Sequence, residues 1–323
     1  MEKTEKNQRR DYAKLFSLAP FVGLVLVILF YVWVMNSQGI RIDSIRIRSI
    51  VGNVILTALV ATGAVYAFSC GALDMSMSGS VCLTAIVAAL VCKATGSVPL
   101  TFAVCIAVAL VLGLAKGLLA IYMHVPIFIV TIVFGTVLSA LGAVLMGSET
   151  TLSLSSYFAT TPAGVVVVGL VLLVVFYLAA LVLFNYTSVG KSMKLVGGNQ
   201  RSAAQSGINI DRTILKAFLV GGLAVGLAAV FVILQTKTVT QATGGSLGND
   251  MMVAVVLGGM PISGGSKSKI SAAIVGAATV TILNTALTSL GLTVGYIQMV
   301  RGVLFLTVVF VTSMAYRGKL LPR

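Results

Sequence analysis

Ionisable and nucleophilic side chains are few in this chain, and their positions limit the chemistry they could do. Asp74, Lys116 and Arg301 fall in or beside long apolar runs, with Glu149 and Asp250 nearer the ends of such runs. His124 is the one histidine and has no partner in sequence, so it supplies neither a triad nor a ligand set. Cys70, Cys82, Cys92 and Cys105 lie in or beside apolar stretches and form no CxxC pair, the pattern of small core residues rather than metal ligands. Gly190-Lys191-Ser192 ends like a phosphate loop, but the required earlier glycine falls at Asn185 and the preceding run is an apolar helix rather than a strand. The chain is therefore expected to carry no catalytic set, no metal and no cofactor of its own. A proton-coupled carrier usually lines its path with buried titratable groups. Their scarcity here suits a neutral, hydroxyl-rich solute passing Ser, Thr, Asn and Gln side chains.

The elements that must position these groups are membrane helices. Hydrophobic residues make up 58% of the 323 residues and charged ones 9%, against about 25% charged in an ordinary soluble domain. Too few charges remain to wet a soluble surface, whereas a lipid-facing fold needs almost none. Apolar runs lie at about 18–36, 51–69, 79–93, 99–122, 126–146, 162–184, 214–235, 251–262, 270–290 and 297–315. They predict an all-α, polytopic membrane protein of about ten transmembrane helices. The eighth run is short and Gly-rich, which predicts a broken or partly re-entrant span. The charged start and the absence of a small-residue cleavage site predict that the first run is retained as a helix rather than removed as a signal peptide.

The net charge of +14 follows the membrane rather than nucleic acid. With a cytoplasmic N-terminus, fifteen of the 22 basic residues fall on the inner side: Lys3, Lys6, Arg9, Arg10, Lys14, Lys191, Lys194, Arg201, Arg212, Lys216, Lys267, Lys269, Arg317, Lys319 and Arg323. Arg41, Arg46, Arg48, Lys93 and Lys237 fall outside. The alternation in 41–50 predicts an amphipathic segment lying on the outer surface. The expected organisation is a cytoplasmic N-terminal tail at 1–17, one transmembrane domain at 18–316 with a cytoplasmic segment at about 185–213, and a cytoplasmic C-terminal tail at 317–323. Membrane lipid, not nucleic acid, is the expected surroundings.

Three polar interruptions carry the functional expectation. In the central one, Asn199 can cap a two-turn helix over 200–206 that Gly207 closes in a left-handed conformation, with Ile208 supplying the apolar contact after the stop and Asn209 or Asp211 capping the next span. A short exposed helix presenting Ala203, Ala204 and Ile208 could insert into a groove on a soluble partner; the alternative is a plain solvated linker. In Cys70-Gly71-Ala72-Leu73-Asp74-Met75-Ser76-Met77-Ser78-Gly79-Ser80, small and hydroxyl residues surround one acid, predicting a tight turn with Asp74 capping the following helix, at a place where non-helical backbone must be covered by protein or a cavity. In the third, Gly258, Gly259, Pro261, Ser263, Gly264 and Gly265 predict a sharp hairpin, with Lys267 and Lys269 available to a cytoplasmic partner. Gly222 and Gly226 have the spacing for close helix packing.

At these residues the chain resembles the permease subunits of ABC sugar importers, in the branch serving ribose, galactose, xylose and autoinducer-2. The 71–80 segment is similar to that family's G-G-I-D-L-S-V-G-S signature, with Ala72 in place of the second glycine and Ser78 as an extra residue before Gly79. Val196-Gly197-Gly198-Asn199 followed by Ala203-Ala204 and Ser206-Gly207-Ile208-Asn209 resembles its central cytoplasmic motif. Gly258-Gly259 with Ser263-Gly264-Gly265 matches its G-G-x-x-x-S-G-G, and Pro126-Ile127-Phe128-Ile129-Val130-Thr131 its P-x-F-I-V-T. The resemblance implies the ABC importer permease fold in a bacterial inner membrane, with both termini cytoplasmic. It implies cytoplasmic ATPase subunits that hold ATP and Mg, a second permease copy or homologue, and an extracytoplasmic solute-binding protein. It further implies that Gly197, Gly198, Asn199, Ala203, Ala204, Ser206, Gly207 and Ile208 form the ATPase-coupling element. Gly71, Asp74, Ser76, Gly79, Gly258, Gly259, Ser263, Gly264 and Gly265 are the turn and pathway candidates. The alternatives are a permease for nucleosides or branched-chain amino acids, and a self-sufficient secondary carrier.

Overall fold

The local signals that start and stop helices account for most element boundaries in the computed structural model. It describes the backbone of residues 2–123, 125–261 and 263–317, and the side chains of 18–123, 125–261 and 263–310. His124 and the basic side chains expected in the two tails lie outside the described residues. Helix α1 (Glu2–Ser37) carries its apolar stretch at Leu18–Ser37. Helix α2 (Ser44–Ser69) opens where the Asp43 carboxylate accepts the Arg46 N–H at 2.9 Å. That cap corrects the expectation of a separate surface segment at 41–50: residues from Ser44 onward are the first turns of α2, and Arg48 donates back to the Ser44 carbonyl at 3.0 Å.

Helix α3 (Met77–Thr95) ends at Gly96 in the left-handed conformation, and α4 (Val98–Tyr122) starts behind a Ser97 cap and Pro99. Helix α5 (Ile127–Met146) leads to strand β1 (Thr151–Ser153), and α6 (Pro162–Tyr186) follows a Thr161 cap. Two short helices, α7 (Ser188–Gly198) and α8 (Gln200–Gln205), come before α9 (Ile210–Thr236). Strand β2 (Thr238–Thr240) pairs antiparallel with β1, setting Leu152 opposite Val239, both buried. The chain ends with α10 (Leu247–Leu257), α11 (Ser271–Ser289) and α12 (Val294–Arg317).

Among the described residues eight helices are long and apolar enough to cross a membrane, and α10 and α12 add shorter apolar helices at Leu247–Leu257 and Val294–Phe310. The chain is an all-α, multi-pass membrane protein. Helices α2 and α9 are the most enclosed, while α1, α4, α5 and α6 expose apolar side chains such as Trp33, Val111, Val144 and Val175. Such faces are stable only in lipid or against another apolar surface. Gly222 and Gly226 pack as their spacing predicts: they lie against the α4 backbone at Ala109 and Cys105, where added carbons would meet those carbonyl oxygens at 2.7 and 3.1 Å.

Candidate functional site

The chain leaves α2 through a turn that the 70–76 sequence dictates. Gly71 takes φ +74°, and the N–H groups of Gly71 and Ala72 return to the carbonyls of Phe68 and Ala67 at 2.9 Å each. The backbone then runs without helix to Met77. Asp74 sits in this break with no exposed surface. One carboxylate oxygen accepts from the Ser76 N–H at 2.9 Å and the Ser76 hydroxyl at 2.6 Å. The other accepts from the Lys116 ammonium of α4 at 2.7 Å, and Lys116 is equally buried. The same ammonium lies 3.2 Å from the Ser76 hydroxyl and faces the Phe218 ring of α9 at 5.9 Å.

The expected helix cap is thus replaced by something else. Asp74 accepts from Ser76, the residue that precedes α3, and α3 receives no side-chain cap. Its carboxylate instead holds a charge 42 residues away, binding the break to α4 and α9. Two ions without contact with water persist only when paired and hydrogen-bonded. Thr131 of α5 secures the same segment from the other side: its hydroxyl lies 3.0 Å from both the Leu73 and the Phe128 carbonyls, which share its one proton, and accepts from the Met75 N–H at 3.2 Å. Gly79 and Gly135 let α3 and α5 touch backbone to backbone just beyond.

The central polar segment folds as its capping residues predict. Asn199 caps α8 by accepting from the Ser202 N–H at 3.1 Å. Gly207 takes φ +80°, the Ile208 N–H returns to the Ala203 carbonyl at 3.1 Å, and Asn209 caps α9 at the Arg212 N–H at 2.9 Å. The expected presentation of Ala203, Ala204 and Ile208 is corrected. Ala203 is 3% exposed and turned into the molecule, Ile208 is half-buried against the core, and Ala204 alone of the three is exposed. Helix α7 has no counterpart in the sequence reading. It is capped by Thr187 and packs its Gly190, Met193 and Val196 inward, so α8 is held by a structured arm rather than a loop. Lys194 on α7 lies 4.2 Å from the centre of the Phe184 ring, and burial there pulls its ammonium below the ordinary lysine pKa. A cleft of about 290 Å³ separates the two helices, lined by Lys194, Leu195, Asn199, Ser202, Ser206 and Ser266.

The three interruptions meet at one carbonyl. The Ser69 oxygen, at the end of α2, accepts from the Gly265 N–H at 3.0 Å. Gly197 of α7 lies so close to that oxygen that a side-chain carbon would collide with it and with the Gly265 nitrogen. Gly264, at φ +68°, leaves no room for a side chain against Phe68 and Ser69, and Ser263 faces Gly71. The helix-bearing arm, the hairpin and the end of α2 therefore form one backbone knot. Gly258 and Gly259 do not join it: Gly258 packs on Ala272 of α11, and Gly259 faces Pro20 of α1. Gly198 and Gly207 face open space.

Two further ion pairs link helices and loops beside the apolar runs. Arg301 of α12 pairs with Asp250 of α10, and Lys93 with Glu149 at 2.8 Å near the β-ribbon. Among the described residues no three His, Cys, Asp or Glu side chains gather as a metal set.

Residues 46–309 match the protein family described as the permease component of branched-chain amino acid transport systems. The chain is 26% identical over 295 residues to the ribose import permease protein of Haemophilus influenzae, covering 89% of this chain and 90% of that one. It is 28% identical over 270 residues to the galactose/methyl galactoside import permease protein of Escherichia coli, covering 76% and 80%. With the xylose transport system permease protein of Escherichia coli it shares 23% over 360 aligned positions, 91% of each chain. No solved structure matches it.

Proposed function

Because the chain belongs to the permease family matched at residues 46–309, we propose that it is the membrane pathway of an ATP-binding-cassette importer for a sugar or sugar-like solute. The observation that carries the reading is the knot at Ser69. An exposed two-turn helix, α8, is tied through α7 and the Gly265 N–H to the end of α2, which leads directly into the Asp74 break. A push on α8 reaches the break through backbone contacts rather than flexible side chains. The relatives named for ribose, galactose and xylose favour a sugar as cargo.

In this reading ATP and Mg are bound and ATP is hydrolysed by cytoplasmic ATPase subunits that seat α8, with its exposed Ala204, in a groove. This chain, 18–316 with its arm at about 185–213, holds no cofactor and forms no covalent intermediate. It sits in the bacterial inner membrane with both termini in the cytoplasm and works beside a second permease, fed by an extracytoplasmic solute-binding protein. ATP-driven closure of the ATPase pair favours one of two permease states, and the pathway alternates its access as rigid bodies move.

The test is Ala204→Glu in the purified complex. It is expected to abolish ATP-dependent uptake of ribose, galactose or xylose while leaving thermal unfolding of the chain unchanged. Full uptake by that variant would remove α8 from the coupling path. The paired change at Ala203 is a poorer probe, since a charge at that buried site disturbs the fold itself. Uptake of a branched-chain amino acid instead of a sugar would select the cargo that the family's description carries.

A further inference from the structure

The Ser69 knot does not account for a second polar feature, on the α10–α12 side. A cleft of about 220 Å³ opens there between the two helices, lined by Asn249, Met252, Val253, Gln298, Arg301 and Phe305. Asn249 and Gln298 are exposed on this face. Asn249 lies in the first turn of α10 and Gln298 early in α12, and lipid would offer neither amide a hydrogen bond. Behind the cleft, Asp250 is faced by Arg301, Ser246 and Asn284. The Arg301 Nε and the Asn284 carbonyl oxygen are buried and have no hydrogen-bond partner. Of the five guanidinium donors, Asp250 engages the Nη1 group.

We infer that the α10–α12 cleft is a contact site for a neutral polyhydroxylated solute during its passage, with Asn249, Gln298 and Arg301 as its hydrogen-bonding groups. Asp250 cancels the arginine charge, so the site does not favour an anion, yet the guanidinium still offers donors. Two amides supply both donors and acceptors, as a ring of hydroxyls requires. Met252, Val253 and Phe305 supply the apolar wall against which C–H groups pack. Gly302 borders the cleft with open space where a side chain would go, so the opening is not filled by the chain itself. The assignment rests on the sugar-importer reading for its cargo but names residues that reading does not.

The test uses the complex in proteoliposomes with D-ribose, D-galactose and D-xylose as probes. Asn249→Ala and Gln298→Ala, both at exposed positions, are each expected to raise KM for the transported sugar about tenfold, the cost of one lost hydrogen bond. Gly302→Leu, whose Cβ meets no protein atom within 4 Å, is expected to fill the cleft and lower uptake. Gln298→Cys is expected to react with a membrane-impermeant thiol reagent and to be protected by the sugar, whereas Leu306→Cys on the exposed apolar face of α12 does not react. If the wild type carries a sugar but the alanine variants keep its KM, the cleft assignment is wrong and the importer reading stands. Shielding of Gln298→Cys by spontaneous cross-linking to a second copy would likewise overturn the assignment, because the face would then be an interface between permeases. If the wild type carries none of the three sugars, both the importer reading and the cleft assignment fail.

Discussion

Asp74 and Lys116 face each other at 2.7 Å with neither side chain exposed, and Ser76 bridges them. The pair joins the one non-helical stretch between α2 and α3 to α4, so its charge balance governs the stability of the break. Lys116→Met is expected to destabilise the chain by about 3–5 kcal/mol, because it strands a carboxylate away from water. Adding Asp74→Asn should recover a large part of that loss. Thermal unfolding of the two single variants and the double variant, in detergent, gives the coupling directly.

Thr131→Val tests the opposite wall of the break. The substitution keeps the shape but leaves the Leu73 carbonyl and the Met75 N–H without the hydroxyl that each engages. A loss of about 1–3 kcal/mol follows. Hydrogen exchange should quicken at Met75 while the α9 amides stay protected.

Gly197→Val places a branched carbon against the Ser69 carbonyl. Overpacking of this kind costs about 1–3 kcal/mol, and here it pries the α7 arm from the end of α2. The variant complex is expected to hydrolyse ATP without importing solute. Gly198→Ala, one residue on, meets nothing within 4 Å and should behave as wild type in both assays.

Asn199→Ala removes the side-chain acceptor for the Ser202 N–H. The cap is worth about 1 kcal/mol, a small part of the whole fold but much of a two-turn helix. Exchange at the α8 amides should rise, and ATP-dependent uptake should fall by more than global stability does.

Much of this site can be read from the chain because its signals are local. Asn199, Gly207 and Asn209 are capping residues whose roles depend on two to five neighbours, and each does what its type predicts. Gly222 and Gly226 are likewise a spacing on one helix. The three interruptions are visible as breaks in hydropathy, but their meeting is not, since the Gly265 N–H and the Ser69 carbonyl are 196 positions apart. The partner of Asp74 is hidden for the same reason. Helix α7 escapes notice because Gly190, Gly197 and Gly198 have poor helix propensity, and it is tertiary packing of Gly190 against Phe184 and of Gly197 against Ser69 that selects them. The inward turn of Ala203 depends on how α8 docks on that arm. The three-residue strands β1 and β2 are too short to leave a period in the sequence.

The central claim is that energy enters through a separate ATPase gripping the α7–α8 arm, while this polypeptide shapes the passage. The direct measurement is uptake of radiolabelled D-ribose, D-galactose and D-xylose into proteoliposomes holding the chain alone or with the ATPase that co-purifies with it. The binding protein is supplied outside the vesicles and ATP inside. The account predicts accumulation of one sugar against its gradient only when the ATPase and ATP are both present. Concentrative uptake by the chain alone, driven by an ion gradient, would contradict it.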